Sequence, residues 1–213
     1  MPHMDEFVEM TGTGTASAPP DVVVLDLSVR APGSSVAAAL GSADQGMAAV
    51  IGLAKERGVR PSDLQTTSAS VYPQYDREGV NVNGYVAQQS LRLRVRERDQ
   101  VGLLISAFSD AIGNTLTIDN ISLQIADPAP LFTEARRGAF ADAEGKARQF
   151  ASLAGRSLGQ VVWLVDAVSS GAGPMPMAVM AADTAKRMYA GSTPVEMGEN
   201  SVSVIITVRW AWT

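Results

Sequence analysis

The chain has 213 residues, 46% of them hydrophobic and 18% charged, which is the balance of an ordinary globular protein and excludes a disordered one. A net charge of −5 argues against general nucleic-acid binding, so no nucleic-acid partner is expected. There is no cysteine, which removes disulfides, thiolate metal sites and a cysteine nucleophile.

No apolar run reaches the roughly 18 residues that span a bilayer, so no transmembrane segment is expected. The first residues lack the charged-then-apolar layout of a signal peptide, so the chain reads as cytoplasmic or as a signal-cleaved exported protein. Met1-Pro2-His3-Met4 resembles an expression scar, and residues 1–6 are set aside as that scar or a disordered start.

From Phe7 to Ala18 the pattern is a threonine-rich strand interrupted by Gly12 and Gly14. A dinucleotide loop must follow a strand and open a helix, whereas this segment runs into Pro19-Pro20; a bulge or close backbone approach explains the glycines better. Asp21–Arg30 is a second strand, with Val23, Leu25, Leu27 and Val29 on one face. Pro32-Gly33-Ser34-Ser35 turns the chain into a helix with Val36, Leu40, Ala43, Met47, Val50 and Ala54 as its stripe and Gly58 as its stop.

Leu64–Tyr75 and Gly84–Arg98 form a hairpin joined by Asp76–Asn83. In the returning strand Arg92, Arg94, Arg96 and Arg98 alternate onto one face, where they suit either a polyanion or acidic partner, or a solvated sheet face balanced by acidic neighbours. No aromatic residues are interleaved to stack on bases. Asp99 is a candidate cap for a helix with Val101, Leu104, Ile105, Phe108 and Ile112, and Thr115–Ala126 is a strand bent at Asp119-Asn120.

Asp127–Gly155 carries the longest helical signal. Ala135, Ala139, Ala143, Ala147 and Ala151 recur every four residues, and such a smooth stripe predicts a helix lying tight against a sheet or partner helix. Val161–Val165 is an unbroken apolar run suited to a strand covered on both faces. Ser169–Asn200 is rich in glycine, proline, serine and methionine, and reads as a flexible insertion. Ser201–Thr213 closes the chain as a strand whose Trp210 and Trp212 require a central or covered position.

The predicted fold is therefore α+β: a largely antiparallel sheet packed by a long alanine-rich helix and two shorter helices. It is read as one domain over 7–213, with two possible sub-lobes at 7–98 and 99–213 and the insertion at 169–200. The single histidine, His3, sits in the suspected scar, and the carboxylates are scattered, so no catalytic, cofactor or metal residues are assigned. An enzyme with an unrecognised site ranks third among the readings.

Thr11-Gly12-Thr13-Gly14 before Pro20-Asp21, Asp63-Leu64-Gln65-Thr66, Gly84-Tyr85, Glu134-Ala135-Arg136 through Ala143 and Lys146-Ala147, and Thr193-Pro194-Val195 with Gly198-Glu199 together resemble the SIMPL-domain family, over nearly the whole of Phe7–Trp212. The resemblance implies an α+β fold, bacterial origin, frequent export to the cell envelope and, in some members, ring or channel-like homo-oligomers. It implies no established enzymatic activity. The function expected first is self-assembly in an envelope or stress-related role, with the chain itself as partner and Met175, Met177, Met180, Met188, Trp210 and Trp212 as candidate interface. A peripheral membrane contact through 169–200 is a weaker alternative.

Overall fold

The computed structural model describes residues 6–167, 175–176 and 199–213. The element order is β1 (Phe7–Ala18), β2 (Val22–Gly33), α1 (Val36–Glu56), β3 (Leu64–Tyr75), β4 (Val82–Val95), α2 (Gln100–Ile112), β5 (Leu116–Gln124), α3 (Ala129–Leu153), β6 (Leu158–Ala167), β7 (Met175–Pro176) and β8 (Asn200–Trp212). Every strand pairing is antiparallel, in two sheets ordered β1-β8-β6, with β7 also on β8, and β3-β4-β2-β5. The architecture is α+β, as the pattern of elements predicts.

Two compact units result, divided at 20/21 and 124/125, not at 98/99. One contains β1, α3, β6 and β8; the other is the continuous stretch from β2 to β5 with α1 and α2.

In the first unit the alanine stripe sets the packing. Ala135, Ala139, Ala143 and Ala147 are fully buried, against Val8, Ala16, Val202, Val204, Ile206, Val208 and Trp210 of β1 and β8. Gly12 and Gly14 lie on the strand face beneath the helix, where a Cβ on either would come 2.0 Å from the carbonyl oxygen of Ala139 or Ala135. Close approach, not a phosphate loop, accounts for the glycines. The helix starts after Pro128, which offers no side-chain cap; the Asp127 carboxylate before it accepts from the Ala129 N–H at 3.0 Å, and Gly155 follows the helix end at φ +66°. β8 is the central strand, which explains its two tryptophans: Trp210 is buried, Trp212 partly so.

In the second unit α1 and α2 cover one face of the sheet. Met47, Val50, Ala54, Val101, Leu104 and Phe108 meet Leu25, Leu27, Val29, Leu91 and Leu93. The α1 stripe begins at Ala39, since Val36 is 43% exposed. Ser35 caps this helix through the Ala38 N–H. Within the 21 residues of α1 an 18-residue window reaches a mean hydropathy of 1.3, enough by length and composition to cross a membrane, yet the buried face of the helix lies on β2 and β4.

Several local expectations change. β2 continues through Pro32-Gly33, which pair with Val86 and Tyr85; β5 pairs only as far as Val29, so the missing proline N–H faces a free edge. Asp99 makes no capping hydrogen bond to α2. Asp119 is skipped in the β2–β5 register and forms the expected bend, accepting from the Ser28 hydroxyl at 3.3 Å.

Candidate functional site

The arginine row does not form a single face. β4 ends at Val95, so only Arg92 and Arg94 belong to the strand, while Arg96 and Arg98 lie in the turn before α2. The alternation in the sequence outlasts the ladder because the turn keeps the same residue types. Arg92 sits opposite Asp26 and donates through Nε at 2.7 Å and Nη2 at 3.1 Å. That hydrogen bond, with the charge of Asp26, raises the Arg92 guanidinium above its ordinary value. The acidic neighbour of the solvated-face reading is therefore present for Arg92.

Arg96 turns to the other side of the strand end. Its Nε and Nη2 donate to the two carboxylate oxygens of Asp63, each at 3.2 Å. The Asp63 side chain is 7% exposed, and its residue sits in the Pro61–Asp63 turn leading into β3. Around this pair lies a cleft of about 180 Å³, lined by Arg57, Arg60, Asp63, Arg94, Arg96 and Glu97, with Val59 and Val95 among its apolar wall. Arg57 and Arg60 follow the end of α1 on either side of Gly58, whose φ of +85° turns the chain back towards β4.

The first unit presents a different feature. α3 packs on β1 and β8, and among the described strands β6 lies at the sheet edge beyond them. Val161, Val162, Trp163, Leu164 and Val165 are each 41–51% exposed, so this run is not covered on both faces. The opposite edge is treated differently: the Asp142 carboxylate accepts from the Thr13 N–H at 2.9 Å, and Lys146 donates to the Thr11 carbonyl at 3.1 Å. Arg209 of β8 lies 4.8 Å from the Phe7 ring and 4.7 Å from the Trp163 ring, and pairs with Glu9. Three adjacent strands are thereby linked on the face away from α3.

The family model described as SIMPL, a protein of unknown function (DUF541), matches residues 8–210. The chain belongs to the SIMPL family. It is 31% identical over 211 residues to the 26 kDa periplasmic immunogenic protein of Brucella melitensis, covering 94% of this chain and 82% of that relative. The Brucella abortus protein of the same name matches equally, and the uncharacterized protein YggE of Escherichia coli K12 is 28% identical over 153 residues, 71% of this chain and 61% of YggE.

In this SIMPL chain the proposed interface residues are dispersed. Trp210 belongs to the core under α3, with its ring 6.1 Å from Phe140, so it is not a surface residue. Trp212 is partly buried, with the Arg156 guanidinium 6.0 Å above its ring. Met175 lies in β7, whereas Met177, Met180 and Met188 lie outside the described residues, as does most of the 169–200 segment assigned to membrane contact. Among the described residues no three His, Cys, Asp or Glu side chains gather. The sequence does not bring Arg57 and Arg60 into the same cleft as Arg94, because nothing in the local pattern shows that the end of α1 returns to the end of β4.

Proposed function

We propose that this SIMPL chain is a non-catalytic, self-assembling protein of the cell envelope that builds a closed ring or channel-like homo-oligomer, and that the β6 edge is a contact between copies. The observation that carries this reading is the exposure of Val161–Val165 on a sheet edge. Folded proteins blunt such edges with lysine, proline, inward charges or a covering element, because an apolar edge invites pairing with another chain. Here Asp166 is drawn to Arg136 at 2.7 Å, and the five residues before it carry no charge. The contrast with the β1 edge, closed by Asp142 and Lys146, supports β6 as an edge kept open for a partner.

A second copy suits this edge. Two neutral strands meet without repulsion, and antiparallel pairing about a two-fold axis is self-complementary. Such a contact closes as a dimer, and a larger ring then requires one further contact. Envelope placement rests on the word periplasmic in the name of the Brucella relatives. The polyanion alternative has less support, because Arg92 and Arg96 are committed to Asp26 and Asp63.

The absence of cysteine gives a direct test. Single substitutions Gln160→Cys, Val162→Cys and Leu164→Cys, oxidised at dilute concentration, are expected to give a covalent dimer for at least one position. Arg137→Cys on α3 is the control. Equal cross-linking at Arg137, or none along β6, would overturn the assignment of this edge.

A further inference from the structure

The cleft at the end of β4 carries a charge that its own neighbours do not balance. Four arginines line it against two carboxylates, in a chain whose net charge is −5. Asp63 is engaged by both arms of Arg96, which leaves Glu97 as the remaining acid. Among the described residues, no ion pair or side-chain hydrogen bond engages Arg57, Arg60 or Arg94. Like charges converging on one concavity repel unless an anion joins them.

We propose that this cleft binds a small phosphate-bearing anion, with Arg57, Arg60 and Arg94 as its ligands and the Asp63–Arg96 pair as its fixed wall. The site is built wholly from residues of the second unit and uses none of the β6 residues. Its volume of about 180 Å³ is below the range of roughly 300–1,000 Å³ that suits drug-sized ligands, so it fits a free phosphate or a short phosphomonoester, not a polymer. Phosphate matches the residues better than a monocarboxylate does. A guanidinium offers a rigid fork of donors, and three forks require more acceptor oxygens and more charge than one carboxylate supplies. Val59 and Val95, buried in the wall, give the carbon portion of an ester an apolar surface.

The pinned pair has a role in this arrangement. Asp63 neutralises Arg96 and holds it against the turn, so that residue shapes the cleft while the other three arginines stay available. Arg94 is carried on a strand and Arg57 and Arg60 flank a glycine-ended helix terminus, so their backbones are set before any ligand arrives. Preorganised donors of this kind lose less entropy on binding.

The test is isothermal titration calorimetry of the full chain with inorganic phosphate and, separately, glycerol 3-phosphate, in low-salt buffer without phosphate. One saturable site per chain is expected for at least one of the two, and the tighter ligand tells whether the free ion or an ester is recognised. Arg60→Ala and Arg94→Ala are each expected to weaken binding at least about tenfold, the loss of roughly one charge-assisted hydrogen bond. Arg94→Lys, which keeps the charge without the fork, should recover part of the affinity. Arg137→Ala removes the same charge from exposed α3 and should leave binding unchanged. No saturable heat with either ligand would overturn the proposal, as would an equal loss in Arg137→Ala. Circular dichroism of each variant confirms that the fold is retained, so a loss of binding reports the site.

Discussion

A Cβ placed on Gly12 would lie 2.0 Å from the carbonyl oxygen of Ala139, closer than any real contact allows. Gly12→Ala therefore has to push α3 off β1, and backbone has no rotamer with which to yield. Overpacking of this kind costs typically 1–3 kcal/mol, and here about 3 kcal/mol or more is expected. Urea unfolding followed by tryptophan fluorescence, whose three reporters Trp163, Trp210 and Trp212 all belong to this unit, measures it.

Gly145 gives the opposite sign. It lies in the interior of α3, and a Cβ there meets nothing within 4 Å. Gly145→Ala should stabilise the protein by about 0.5–1 kcal/mol through helix propensity alone. An equal loss in both glycine variants would contradict the distinction between close approach and open surface.

Asp142 should make stability fall in acid. Its carboxyl is held below its ordinary value of 3.8, first by the hydrogen bond from Lys146 at 2.7 Å and then by the Thr13 N–H. A group with a lowered folded pKa adds stability above its unfolded value and loses it as pH falls through the folded one. Asp142→Asn should thus be less stable than the parent at neutral pH, and the gap should close below about pH 3.8. Unfolding curves at pH 7 and at successive steps below pH 4 check this.

The Asp63–Arg96 pair should respond unequally to its two deletions. Arg96→Ala leaves a carboxylate that is 7% exposed without its partner, whereas Asp63→Asn leaves an arginine that is already 46% exposed and returns to water. The first should cost about 2 kcal/mol and the second about 1 kcal/mol or less, values reduced for the solvent on the arginine side. Denaturant midpoints of the two variants decide, and equal costs would remove the asymmetry.

Much of the first unit was legible because spacing alone encodes it. The four-residue alanine recurrence in α3 and the alternation of Val202 to Trp210 in β8 require no long-range information. The place of β6 was not legible. An apolar run from Val161 to Val165 reads as doubly covered, and only the order of strands in the sheet shows that it ends up at an edge. The arginine row failed for a related reason. Its alternation persists after the ladder stops at Val95, and the partners of Arg92 and Arg96 lie 66 and 33 residues away in sequence. The cleft depends on the return of α1 towards β4, which no local pattern records.

The central claim, that copies of this chain meet through the β6 edge, is tested most directly by native mass from light scattering after size exclusion. The parent should run as a discrete assembly, and Val162→Lys with Leu164→Glu, two substitutions at exposed positions, should run as a smaller folded species that has lost the β6 contact. A parent that is monomeric at micromolar concentration, or an assembly that both substitutions leave intact, would contradict the account.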